Sequence, residues 1–218
     1  MNSTQRKNVE PRWPAVIALV GAGALYAALP SSLHVGGPRW LVAALVLLLL
    51  IPAEVSHYRC NHSLNQIIGY VLNGLITLVM ALSLTLLIAA LAAHEIAPRE
   101  LLRSAAALWV TNILIFASWY WRLDAGGPHE RARTPGHADG AFLFPQMTMD
   151  PEAKLAAGEH KWEPNFVDYL FLAFNTSTAL SPTDVPVLSR WAKVLMMIQA
   201  FISLLVMVLL AARAVNIL

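Results

Sequence analysis

Long uncharged runs divide this chain. No Asp, Glu, Lys or Arg falls between Arg12 and Arg39, Arg39 and Glu54, Arg59 and Glu95, Arg103 and Arg122, or Lys193 and Arg213. A helix needs about 20 apolar residues to cross a hydrocarbon layer about 30 Å thick. Four of these gaps reach or approach that length, while Trp40 to Ala53 is shorter and leans on flanking side chains that snorkel. The pattern predicts an all-α, polytopic membrane helix bundle with five full spans and a short sixth or pore-helix-like segment.

Punctuation residues set the boundaries. A polar tail covers residues 1–12 and a four-span bundle residues 13–121. Span one runs from Trp13 to Leu29 and is closed by Pro30-Ser31-Ser32; its Gly21-Ala22-Gly23 patch suits close helix contact. Gly36-Gly37-Pro38 opens the second span, which Pro52 and Glu54 end. Residues 54–64 read as an interfacial loop, Asn65 to Ala93 as a long, tilted third span, and Leu101 to Trp121 as the fourth. Trp119-Tyr120-Trp121 before Arg122 is an aromatic belt at a membrane boundary. An aqueous loop, rich in Gly, Pro and His, covers residues 122–164. Its only helical period lies around Pro151 to Gly158, and Phe142 to Met147 reads as a return to the surface. Residues 165–218 form a separate unit of half-helix, turn and terminal helix.

Composition excludes several function classes. The chain is 57% hydrophobic and 13% charged, about half the charge fraction of a soluble domain. A net charge of +2 without a basic run interleaved with aromatics gives no reason to expect a nucleic-acid partner. The single Cys60 excludes an intramolecular disulfide. None of the seven histidines forms an i, i+4 pair within a span, so no metal is expected. With no GxSxG, no P-loop and no paired carboxylates in a span, neither catalytic residues nor a cofactor are expected, and the chain does not read as an enzyme.

Orientation follows from Lys and Arg. Loops on the N-terminal side hold Arg6, Lys7, Arg12, Arg59, Arg122, Arg131, Arg133, Lys154 and Lys161, against Arg39, Arg99 and Arg103 opposite. That asymmetry places the N-terminus and the 122–164 loop in the cytoplasm.

The candidate chemistry sits near the C-terminus. Phe166 to Leu180 covers about 22 Å as a helix, short for a crossing, and carries Asp168, Asn175, Thr176, Ser177 and Thr178. Polar groups at membrane depth need partners inside the protein or a wet cavity. The segment is therefore either a re-entrant half-helix aimed at a pore or a buried sixth span whose hydroxyls bond back to its own carbonyls. Pro182 disfavours helix at Ser181, which leaves Ser181, Thr183 and Asp184 as either a carbonyl and hydroxyl constriction or a turn in which Thr183 and Asp184 cap the next helix, with Pro186 in its first turn. On the last helix, Gln199 and Ser203 share a face and either line a water path or knit two helices. Arg213 reads as a snorkelling residue, and Asn73 and Asn112 as helix glue.

Read in order, this C-terminal third resembles the pore unit of bacterial two-transmembrane potassium channels. Tyr169 to Phe174 stands where that family has its pore helix, Thr178 where it has the threonine before its filter, and Asp184 on its closing acidic residue. The Met196 to Asn216 stretch resembles the inner helix. The family's glycine-aromatic-glycine is here Ser181-Pro182-Thr183, so potassium selectivity does not carry over. Pro11 to Pro14, Leu108 to Asn112, Trp119 to Pro128, Phe144 to Met147 and Asn175 to Asp184 also resemble a family of bacterial multi-span membrane proteins related at its C-terminus to that pore domain. No settled activity attaches to that family. For a channel entered from outside, the 122–164 loop would have to be external. The conflict with the charge asymmetry leaves three readings: residues 166–180 cross fully, the loop is inverted, or the charge rule fails. The expectation is a homo-oligomer in the lipid bilayer that passes a monovalent cation or small solute. Its pore candidates are Asn175, Thr176, Thr178, Ser181, Thr183 and Asp184, with Gln199 and Ser203 on the inner helix. The alternatives are a non-conducting scaffold protein or a small-molecule transporter.

Overall fold

The computed structural model describes residues 10–35, 38, 40–42, 44–48, 62–93, 96–133, 140–159, 162–179 and 184–215. Regular structure among them is helical, apart from an isolated antiparallel bridge between Phe142 and Val187. The helices are α1 (Trp13–Ala27), α2 (His62–Ala93), α3 (Pro98–Leu123), the short α4 (Pro128–Arg133), α5 (Pro145–Thr148) and α6 (Pro151–Ala156), then α7 (Phe166–Ala179) and α8 (Arg190–Val215). Residues 40–42 and 44–48 are also helical.

Three of the five expected spans are helices long and apolar enough to cross a membrane, namely α2, α3 and α8. With 15 residues, α1 is shorter than expected. It ends at Ala27, three residues before Pro30, whose extended backbone starts a tight 3-10 turn. The rest of the second span, and most of the 54–64 loop, lie outside the described residues. Two short helices, α4 and α5, occur where no helical period was expected; each begins at a proline, which is pre-set for a first turn. The expected helix near Pro151 is present, with Asp150 Oδ1 accepting from Ala153 N at 2.8 Å.

The bundle is built round α3. Pro98 opens it after an extended Ala97, Glu100 sits in its first turn and Arg122 in its last, matching the helix dipole at both ends. It packs against α1, α2, α7 and α8. Its buried residues therefore run round the helix rather than along one stripe, from Leu101 and Ala105 through Ile113 and Phe116 to Trp121. By contrast, α1 buries Ala15, Ala18, Leu19, Ala22, Gly23 and Tyr26. This is the 3-4 spacing of one face, and its small residues let α1 lie close to α3.

Polar pairs fix the register between helices. Between α2 and α3, Ser118 Oγ donates to Asn73 Oδ1 at 3.0 Å and Trp119 Nε1 to Thr77 Oγ1 at 3.0 Å. At the far end of α2, Ser83 Oγ donates to the Leu33 carbonyl at 3.0 Å. Between α3 and α8, Asn112 Nδ2 donates to Ser203 Oγ at 2.8 Å and Tyr120 Oη to Gln199 Oε1 at 2.5 Å. Numbers fall along α3 as they rise along α8, so these two helices are antiparallel.

The placement of α7 follows from the same kind of register. Phe142 packs against Tyr169 near the start of α7 and Trp191 near the start of α8, with ring centroids 6.2 and 6.1 Å apart. Eight residues further along each helix, Gln199 Nε2 donates to Ser177 Oγ at 2.9 Å. The two helices thus start at one end of the bundle and run the same way. After Ala179 the chain comes back to that end before α8 begins. A complete crossing by residues 166–180 does not fit this geometry, because α8 would then have to start at the opposite end.

Candidate functional site

The start of α7 is locally encoded. Asn165 Oδ1 accepts from Val167 N at 2.9 Å, while Asp168 Oδ2 accepts from Asn165 N at 2.8 Å. This reciprocal arrangement is a capping box, which satisfies backbone donors that a first turn leaves open. Burial raises the Asp168 carboxyl above its ordinary range and repulsion from Glu159 adds to this, against the pull of its hydrogen bonds.

From there α7 presents two faces. Phe166, Tyr169, Leu172, Ala173, Thr176 and Ser177 are buried against α3 and α8. Val167, Phe171 and Phe174 are exposed, as is Thr178. With 14 residues, α7 is about 21 Å long, well short of a helix that crosses a bilayer.

The sequence-derived candidates fall on both faces. Thr176 is buried and its hydroxyl donates to the Leu172 carbonyl at 2.8 Å. Thr178 is exposed and donates back to the Phe174 carbonyl at 2.9 Å. Asn175 is half-buried, and Asp184 is exposed beyond the turn. Ser181 and Thr183 lie outside the described residues. Gln199 and Ser203 are fully buried in a polar seam. Gln199 Nε2 donates to the Ala173 carbonyl at 2.7 Å and to Ser177 Oγ, and Gln199 Oε1 accepts from Tyr120. Ser203 accepts from Asn112. Both residues therefore knit α3, α7 and α8 within one protomer.

The expected helix start after the turn needs correction. Pro186 is not in the first turn of α8, which begins at Arg190 with Ser189 Oγ accepting from Ala192 N at 3.4 Å. Residues 186–188 instead pair with 141–143: Leu143 N donates to the Pro186 carbonyl at 2.9 Å, and Leu188 N to the Ala141 carbonyl at 2.8 Å. A proline fits there because the ladder uses its carbonyl and needs no amide hydrogen.

A second cluster was not singled out from the sequence. Asp124 is fully buried; its Oδ2 accepts from Tyr169 Oη at 2.6 Å and its Oδ1 from Ala141 N at 2.5 Å. Arg131 Nη1 donates to Trp121 O in the last turn of α3 at 2.7 Å and to Asp124 O just past it at 2.9 Å. Its Nη2 pairs with Glu10 at 2.9 Å, and its guanidinium carbon lies 5.0 Å from the centre of the Tyr169 ring. Trp121 Nε1 also donates to Glu10. Phe142 and Phe144 close over this cluster, 1% and 3% exposed, rather than returning to a surface. The available signal was the unbroken Trp119 to Pro128 motif, with an acid three residues beyond the aromatic belt.

No protein-family model, curated protein or solved structure matches this chain.

Proposed function

We propose that this chain is a multi-pass protein of a bacterial cytoplasmic membrane with a pore-loop plan, channel-like and homo-oligomeric, passing a cation or small solute past Asn175, Thr178 and Asp184. One observation carries the reading: α7 and α8 begin at the same end of the bundle, so the short helix goes in and the chain comes back. A soluble protein has little use for such a detour through apolar surroundings. In a membrane, a half-helix brings backbone carbonyls and hydroxyls to mid-depth, where they replace water around a permeant species. The exposed apolar residues of α7 and α8, among them Phe171, Phe174, Met197 and Phe201, give neighbouring protomers a surface to pack on. Under the charge asymmetry, α7 enters from the cytoplasmic side, which is the inverted arrangement.

The test is conductance of the purified, reconstituted protein in planar bilayers. The parent should conduct, and Asp184→Asn and Thr178→Val should each lower unit conductance. An oligomeric parent that passes no current, or variants indistinguishable from it, would sink the proposal. The polar seam favours a second reading, a non-conducting membrane scaffold. Ser177, Gln199 and Ser203 are used for packing inside the protomer, leaving fewer polar groups for a pore. On that reading the protein assembles in the membrane and is silent in every ionic condition.

A further inference from the structure

No side chain of α3 between Arg103 and Arg122 carries a charge. That stretch covers about 27 Å as a helix, close to the hydrocarbon thickness of a bilayer, about 30 Å. In a membrane the two arginines therefore stand at opposite headgroup levels. A groove of about 290 Å³ opens at the Arg103 level, where the end of α1 lies against the early turns of α3. Leu25 and Leu29 line it from the α1 side and Ala106, Ala107 and Val110 from α3, with Arg103 and Ser104 at its head. From Arg103 to Val110 the helix descends about 10 Å, so the groove runs from headgroup level into the hydrocarbon.

The groove exists because α3 is not wrapped evenly along its length. Although it packs against α1, α2, α7 and α8, its side chains at Ala106 and Val110 remain exposed. Alanine at 106 ends at its Cβ and cannot fill the space beside α1. In water such a trough would leave apolar surface wet. In a bilayer an acyl chain lying in it gains close dispersion contacts along its length.

The head of the groove carries a cation. Arg103 is exposed, and Arg99, also exposed, stands one turn before it on the same face. Among the described residues neither arginine forms an ion pair, not even with Glu100 between them. Ser104 Oγ is committed to the Glu100 carbonyl at 2.7 Å, which leaves the Arg103 guanidinium as the group to meet a ligand's charge. Its planar fork matches two oxygens of a phosphate. Its long stem reaches along apolar surface to headgroup depth.

We propose that this groove seats an anionic phospholipid, its phosphate on Arg103 and one acyl chain between Leu29 and Val110. The assignment rests on the membrane reading and not on conduction. The experiment follows thermal unfolding of the full-length protein in a neutral detergent, titrated with short-chain phosphatidylglycerol, short-chain phosphatidylcholine or inorganic phosphate. Phosphatidylglycerol should raise the unfolding midpoint saturably, at lower concentration than the zwitterionic phosphatidylcholine, and inorganic phosphate should leave it unmoved. Arg103→Gln should weaken the apparent affinity for phosphatidylglycerol about fivefold and abolish the preference between the two lipids. Ala106→Leu, which fills the groove from an exposed position, should weaken both lipids alike. Equal affinity for the two lipids in the parent overturns the proposal, as do phosphate acting as well as phosphatidylglycerol and affinities unmoved by either variant. Flotation with liposomes separates the two levels of the argument. A chain that does not float loses the membrane reading and this proposal together, whereas one that floats without the expected preference loses this proposal alone.

Discussion

Two carboxylates near the base of α7 do opposite things for stability. Asp168 caps the helix but is raised by burial and by Glu159, so the folded protein holds its proton more tightly than the unfolded chain. Its contribution is therefore fully present below the ordinary carboxylate range and lost as pH rises through the raised value. Asparagine keeps an acceptor for Asn165 N without that charge. Asp168→Asn should flatten the decline in unfolding midpoint between about pH 4 and neutrality, with the two proteins converging in acid; parallel curves would contradict this. Asp124, by comparison, accepts from two donors that are buried with it. Removing it leaves the Tyr169 hydroxyl and the Ala141 amide unsatisfied, which costs about 3 kcal/mol. Asp124→Ala should show that loss in detergent unfolding. Asp124→Asn, which keeps one acceptor oxygen, should lose less.

Among the elements, the polar seam between α3, α7 and α8 turns on Gln199. Gln199→Leu strands the Tyr120 hydroxyl and removes a partner of Ser177. In water such a loss approaches 2 kcal/mol, whereas hydrogen bonds between membrane helices average nearer 0.6. Because the seam is buried within one protomer, about 1–2 kcal/mol is expected, read from the midpoint of detergent-induced unfolding. A variant as stable as the parent would show that the seam does not hold the helices together. These elements also show what the sequence could reveal. Charge-free gaps located α2, α3 and α8 because hydropathy is a local property, and Asn73 and Asn112 were readable as glue because an amide at that depth needs a partner. The start of α8 and the shared starting level of α7 and α8 were not readable. They depend on Phe142 pairing with Val187, a contact 45 residues away in the chain that leaves no periodic trace. Asp124 was hidden for a related reason: its partners, Tyr169 and Ala141, come from segments that read as a half-helix and a loop.

For the molecule as a whole, sidedness is the property most open to test. The base of the bundle, with Glu10, Arg12, Arg122, Arg131 and Arg133, belongs in the cytoplasm under the charge rule. In a Cys60→Ser background, Glu152→Cys should react with a membrane-impermeant maleimide in opened cells and stay unlabelled in intact ones; the reverse would turn the protein over. Another property follows from the central position of α3. Its outer partners α1 and α2 precede it in the chain, while α7 and α8 come after residue 140, yet all four dock on the same rod. The described residues up to Arg133 and those from Gly140 onward are thus two halves of one joint, fastened by Asp124 to Tyr169, Tyr120 to Gln199 and Asn112 to Ser203. A single backbone cut between Arg133 and Gly140 would sever the covalent thread without undoing the clasp, and the two pieces should travel together through purification as though still one chain.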